Sequence, residues 1–127
     1  MSKQYAPATV APPFSRYSHA VEVAAPARWL TISGQVGVFP DGGLADGAMA
    51  QMEQTWRNIF AVLAAAEMEA GDLVKVTAFL TRREDLGVYR EVRDAMLGDA
   101  RPASSLLFVA GLASPDWLVE IEAVAAK

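Results

Sequence analysis

The chain has 127 residues, 11 Lys and Arg against 15 Asp and Glu, a formal charge of −4 and no cysteine. That length predicts one domain, residues 1–127. The absence of cysteine excludes a disulfide framework, a thiol nucleophile and thiolate-bound metal. An acidic balance with no basic run longer than Arg82-Arg83 argues against a nucleic-acid partner.

Residues 1–15 (MSKQYAPATVAPPFS) are rich in Pro, Ala and Ser and read as irregular. They hold no apolar run of signal-peptide length, and no 18-residue apolar stretch elsewhere predicts a membrane span, so a cytoplasmic location is expected. Residues 17–23 (YSHAVEV) and 29–33 (WLTIS) read as strands, and the short 24–28 segment between them predicts a hairpin. Residues 33–43 (SGQVGVFPDGG) form a glycine-rich connection ending in a turn signal.

A helix is predicted over 47–66, with Asp46 as its N-cap. Met49, Met52, Trp56, Ile59, Phe60 and Leu63 recur every three or four residues on its inner face. Residues 73–81 (LVKVTAFLT) predict a strand with Val74, Val76, Ala78 and Leu80 on one side. A second helix is predicted over 83–97, ended by Gly98. Residues 105–110 and 118–124 complete the strands. In the last one Glu120 and Glu122 share a face, opposite Val119, Ile121 and Ala123.

The order predicts an α+β fold, a six-stranded mixed sheet with two helices on one face. The other face is left bare. An apolar content of 53% and that bare face both point to a homo-oligomer.

Chemistry is sparse. Glu120 and Glu122 lie in an otherwise apolar strand, where a carboxylate either meets solvent or acquires an acid–base role. His19 is the one histidine, and with no cysteine beside it a zinc site is not expected. No phosphate-binding fingerprint exists, and Ser104-Ser105 lacks the glycines of a nucleophile elbow.

Taken in order, these motifs form a set: Tyr17-x-x-Ala-Val, Ser33-Gly34-Gln35, Gln54-Thr-x-x-Asn58, Gly71-Asp72 with the strand that follows, Pro102-Ala103, and Val119-Glu120-Ile121-Glu122. The set resembles the Rid family, the YjgF-like reactive intermediate deaminases, also called endoribonuclease L-PSP-like, from about residue 12 onward. The resemblance implies a chorismate-mutase-like fold, a homotrimer around a central barrel, and clefts between subunits. It implies hydrolysis of small imine or enamine metabolites with no cofactor and no metal. It gives Glu120 the role of positioning water and sets Tyr17 at the pocket. Ser33, Gly34, Gln35 and Ser105 are expected to contact substrate.

One position departs from the family. Where Pro-Ala-Arg-Ser is usual, this chain has Pro102-Ala103-Ser104-Ser105. The arginine that clamps a carboxylate is replaced by Ser104. Two charge-assisted bonds of about 1.5–3 kcal/mol each are lost with it. Arg16, Arg93 and Arg101 are the candidates to restore the clamp; Arg90 and Arg93 stand where the family shows asparagine and tyrosine. The expectation is therefore a hydrolase of altered specificity, acting on a small-molecule metabolite, rather than a standard 2-aminoacrylate deaminase. A non-catalytic, metabolite-sensing trimer is the alternative. Nuclease activity ranks last on charge.

Overall fold

Alternating and helical patterns in the sequence become six strands and two helices: β1 (Ser2–Tyr5), β2 (Ala20–Val23), β3 (Trp29–Val36), α1 (Ala48–Ala65), β4 (Leu73–Leu80), α2 (Leu86–Leu97), β5 (Ala103–Phe108) and β6 (Val119–Ala126). The computed structural model describes residues 2–25 and 27–127. In place of the six-stranded sheet expected, four strands form a mixed sheet in the order β3-β6-β4-β5, and β1 and β2 pair only with each other as a separate ribbon. Within the sheet β4 and β5 run parallel, with α2 as the crossover between them; the other pairs are antiparallel. Among the described residues no helix is long and apolar enough to cross a membrane.

The core lies between this sheet and the two helices. Helix α1 contributes Met52, Trp56, Ile59 and Leu63, all fully buried. The sheet answers with Val76, Ala78 and Leu80 of β4 and Val119, Ile121 and Ala123 of β6. Helix α2 adds Tyr89, Val92 and Leu97 to the same cluster. Met49, expected on the inner face of α1, is 46% exposed, lining an open surface groove with Val92 and Met96 of α2. Val74 is only half-buried, since a register shift between Leu73 and Lys75 breaks the alternation and Leu73 takes the inward place.

Two polar side chains fasten α1. Gln51 Nε2 donates to Asp116 O at 3.1 Å, and Leu118 N–H donates to Gln51 Oε1 at 2.9 Å. Asn58 Nδ2 donates to Val36 O and Val38 O, both at 3.0 Å, while Gln54 Nε2 donates to Asn58 Oδ1 at 2.9 Å. Both carbonyls lie where β3 runs out, so the Gln54–Asn58 motif holds the end of that strand in place.

Four local expectations are corrected. Asp46 does not cap α1: Gly47, at φ 87°, takes the N-cap position and leaves Asp46 exposed one residue too early. Residues 2–5 of the supposedly irregular N-terminus are strand β1, paired antiparallel with β2 from Ser2↔Val23 to Tyr5↔Ala20. The β2–β3 hairpin is absent, because β3 buries Leu30 and Ile32 against the core by pairing with β6, whereas β2 stays exposed or half-exposed. Pro26, in the predicted turn, lies outside the described residues. The start of the second helix is a 3-10 turn, Arg83–Asp85, across which Arg82 holds Asp85 at 2.8 and 3.0 Å.

Helix α1 ends in a left-handed turn. Glu67 has φ 58°. Met68 N–H reaches back to Leu63 O at 2.8 Å and Glu67 N–H to Ala64 O at 3.0 Å, the paired bonds of a left-handed helix stop. Glutamate thus occupies a backbone conformation that favours glycine.

Candidate functional site

Sheet parity sorts the candidate residues onto two sides. On β5, Ser104 stands opposite Val76 in register, and Leu106 opposite Ala78. Val76 and Ala78 are core residues, so Ser104 and Leu106 point to the helix side. Ser105, opposite Thr77, points the other way and accepts a 2.7 Å hydrogen bond from Lys75 Nζ. Glu120, opposite Phe79, shares that open face.

On the helix side a cavity of about 220 Å³ opens between β5, α2 and the chain at 14–17. Phe14, Leu86 and Leu106 supply its apolar wall. Ser15, Tyr17, Arg90, Arg93 and Ser104 supply its polar wall. Tyr17 is fixed from two sides. Its hydroxyl accepts from Phe14 N–H at 3.3 Å, and its ring meets His19 edge-on at 6.1 Å. His19 Nε2–H in turn donates to Ala11 O at 2.7 Å, so the histidine braces this segment.

Arg93 is 4% exposed. Burying a guanidinium requires partners. Its Nε and Nη2 donate to Asp94 Oδ1 at 3.1 and 2.9 Å, its Nη1 to Ser15 Oγ at 3.3 Å, and its plane lies 5.8 Å from the Tyr89 ring centre. Arg90 lies one turn earlier and lines the same cavity. Among the described residues it has neither a hydrogen-bond partner nor a carboxylate within 4.0 Å.

Glu120 sits across the sheet from this cavity. It pairs with Val36 of β3 and Phe79 of β4. The register of β3 slips between Ile32 and Gln35, and the slip sets Gly34 under the Glu120 side chain. A Cβ at Gly34 would overlap Glu120 Oε2 and lie 2.8 Å from its Cδ, so the carboxylate needs glycine there. Ser33 and Gly34 are exposed, and Gln35 Nε2 folds back to donate to Ser33 O at 3.1 Å. Glu122, two residues on, is exposed.

The candidates therefore fall into two groups. Tyr17 and Ser104 come together on the helix side; Glu120, Gly34 and Ser105 belong to the open face with Ser33 exposed beside them, whereas Gln35 pairs with the core residue Ile121 and takes the other parity. Arg16 and Arg101 join neither. Each donates to Gly98 O at 2.9 Å, past the end of α2, and Arg16 lies 3.9 Å from Asp94. The spent carbonyls of a helix C-terminus attract cations in this way. Sequence reasoning put Arg93 among the clamp candidates, noted Arg90 only as a departure from the family, and passed over Ser15 and Phe14. The four-residue step from Tyr89, on the inner stripe of α2, was the signal that Arg93 turns inward.

Comparison with known proteins gives a consistent picture. The endoribonuclease L-PSP family model matches residues 8–127. A RutC family protein of Pyrococcus horikoshii is 34% identical over 117 residues, covering 91% of this chain and 90% of that protein. The 2-iminobutanoate/2-iminopropanoate deaminase of Mus musculus is 33% identical over 129 residues, covering 100% and 90%. The crystal structure of YyfB, a Rid-family protein of unknown function from Yersinia pestis, superimposes with a TM-score of 0.87 at 32% identity, over 98% of this chain and 97% of that one.

Proposed function

Because the chain belongs to the Rid, or endoribonuclease L-PSP, family, we propose that it is a small-molecule hydrolase of the imine and enamine deaminase type, with its site completed between copies of the chain. The observation that carries this reading is the division of the candidate residues across the sheet. Tyr17 and Ser104 lie on one side and Glu120 on the other. A single chain cannot bring them to one substrate. A second copy that covers the open face brings its own Glu120 toward the edge of a neighbour's cavity. The open face is suited to being covered, since it presents Phe79 and Leu107, the latter 46% exposed, beside Trp29, 60% exposed. Three copies closing their open faces into a barrel is the arrangement we favour.

In this reaction water adds to the C=N carbon. Glu120 accepts a proton from that water as the new C–O bond forms. The resulting carbinolamine then expels ammonia, with the proton returned to the leaving nitrogen, and a carbonyl product remains. Gly34 leaves room for the carboxylate, and Tyr17 borders the substrate. Specificity differs from that of relatives with an arginine on β5, because Ser104 offers one neutral hydroxyl in its place.

The test generates imines from several amino acids with an amino-acid oxidase and follows them by semicarbazide trapping. The wild type is expected to accelerate the decay of at least one imine, and Glu120→Gln to abolish the acceleration without lowering the melting temperature. If no imine decays faster than in buffer, the hydrolase reading fails and a non-catalytic binding role replaces it; the serine at 104 is what favours that second reading.

A further inference from the structure

We propose that the anion grip of this protein is carried by helix α2, with Arg90 and Arg93 binding a small monocarboxylate in the cavity behind Ser104. The inference deepens the hydrolase reading and rests on it only for the ligand's role as substrate.

Arg93 has more donors than the protein satisfies. A guanidinium has five N–H groups. Three of them are bonded, two to Asp94 and one to Ser15. One N–H on each terminal nitrogen is left over, in a side chain 4% exposed that lines the cavity. Buried donors without partners are rare, and a parallel pair of terminal N–H groups matches the two oxygens of a carboxylate.

Arg90 supplies the charge. It stands three residues before Arg93, on the same side of the helix, and no carboxylate among the described residues lies within 4.0 Å of it. Asp94 is held by Arg93 and also lies 3.9 Å from Arg16, which is itself bonded to Gly98 O and does not line the cavity. Of the two guanidiniums in the lining only that of Arg90 lacks a carboxylate among the described residues, and a single unpaired guanidinium suits a monoanion. Two like charges placed one turn apart beside a cavity are mutually repulsive until an anion sits between them.

The rest of the wall describes the rest of the ligand. Leu86, Leu106 and Phe14 give the cavity an apolar part to its lining, and Ser15, bonded to Arg93, and Ser104 add hydroxyls. A short aliphatic carboxylate fits that lining. Serine at 104 then has a reason: an arginine there would bring a third guanidinium into a cavity of about 220 Å³ and crowd the other two.

Isothermal titration calorimetry on the full-length protein tests this with 2-oxobutanoate, its neutral methyl ester and inorganic phosphate. The wild type is expected to bind 2-oxobutanoate at least tenfold more tightly than the ester or phosphate. Arg90→Met should weaken 2-oxobutanoate at least tenfold and leave the ester unchanged, with an unchanged melting temperature; Arg90→Lys should recover part of the loss. Because Arg93 is buried, Arg93→Lys is the partner variant, and it too should weaken the carboxylate selectively. Equal affinity for acid and ester, tighter binding of phosphate, or an Arg90→Met affinity within twofold of wild type overturns the grip. The two readings separate cleanly. Selective carboxylate binding without imine turnover removes the hydrolase and keeps the grip. Turnover of carboxylate imines by Arg90→Met with an unchanged KM removes the grip and keeps the hydrolase.

Discussion

Alanine at Gly37 and alanine at Gly34 should fail in opposite ways, although the two glycines are three residues apart. At Gly37 a Cβ would lie 2.5 Å from the Cα of Gln51 and 2.7 Å from its Cβ and carbonyl oxygen. That is roughly 0.9 Å short of an ordinary contact of 3.4 Å. The obstacle is the backbone of α1, which cannot rotate away as a side chain can. Nor can α1 slide, since Gln51 is bonded at both ends, to Asp116 O and Leu118 N–H. Gly37 does not have a left-handed backbone, so the penalty is the contact alone. Overpacking of this kind costs about 1–3 kcal/mol, and weakening one of the Gln51 bonds adds about 1 kcal/mol. For a chain of this size, about 2–4 kcal/mol lowers the melting temperature by roughly 8–16 °C. At Gly34 the obstacle is the free end of the Glu120 side chain, which swings aside. Gly34→Ala should hold its stability to within about 1 kcal/mol and lose imine turnover at least tenfold, because the carboxylate has moved. Circular-dichroism melts of both variants, read beside the imine assay, decide the matter. A Gly37→Ala protein melting within 2 °C of wild type would refute the packing argument.

Other substitutions test separate parts of the structure. Asn58→Ala leaves Val36 O and Val38 O without their shared donor and should destabilise the fold by about 2–3 kcal/mol, measured by urea denaturation. Glu67→Gly relieves a left-handed residue at the end of α1 and should raise stability by about 1 kcal/mol, seen as a melting temperature about 4 °C higher. Sedimentation equilibrium should give a particle of three times 13.6 kDa, and a monomer at micromolar concentration would remove the second copy that Glu120 requires.

Residues that face the core were the legible ones. The stripe Met52, Trp56, Ile59, Leu63 and the alternation Val76, Ala78, Leu80 carry their own periodicity, and each is buried as its period demands. Strand β1 carries no such signal. All four of its residues are exposed, so nothing in its sequence marks an inward face. The failed hairpin has a related cause. A short connection suggests pairing between its neighbours, but β3 is claimed by β6, whose core face matches its own, and that partner lies about 90 residues away. Of the site, Tyr17 and Ser104 were recognisable from motif order, and the cavity sets them side by side. Arg90 was not, because helical spacing places it beside the apolar stripe and says nothing of the strand opposite. Only the crossover geometry, α2 lying over β5, turns that flank into a cavity wall.

Ser18, just before β2, bridges to Ala103 of the sheet, reinforced by Ser18 bonds to Pro102 O and Arg101 O. Everything N-terminal to that bridge is held with little buried area, and such segments open on their own, far below the free energy of global unfolding. Phe14, Ser15 and Tyr17 belong to this part of the chain, while Arg90 and Arg93 belong to α2 and Ser104 to β5. The cavity thus has one rigid wall and one wall governed by local opening. Its backbone amides should divide in hydrogen exchange along the same line, and a ligand bridging the Arg93 guanidinium and Ser15 would lend the loose wall the protection of the firm one.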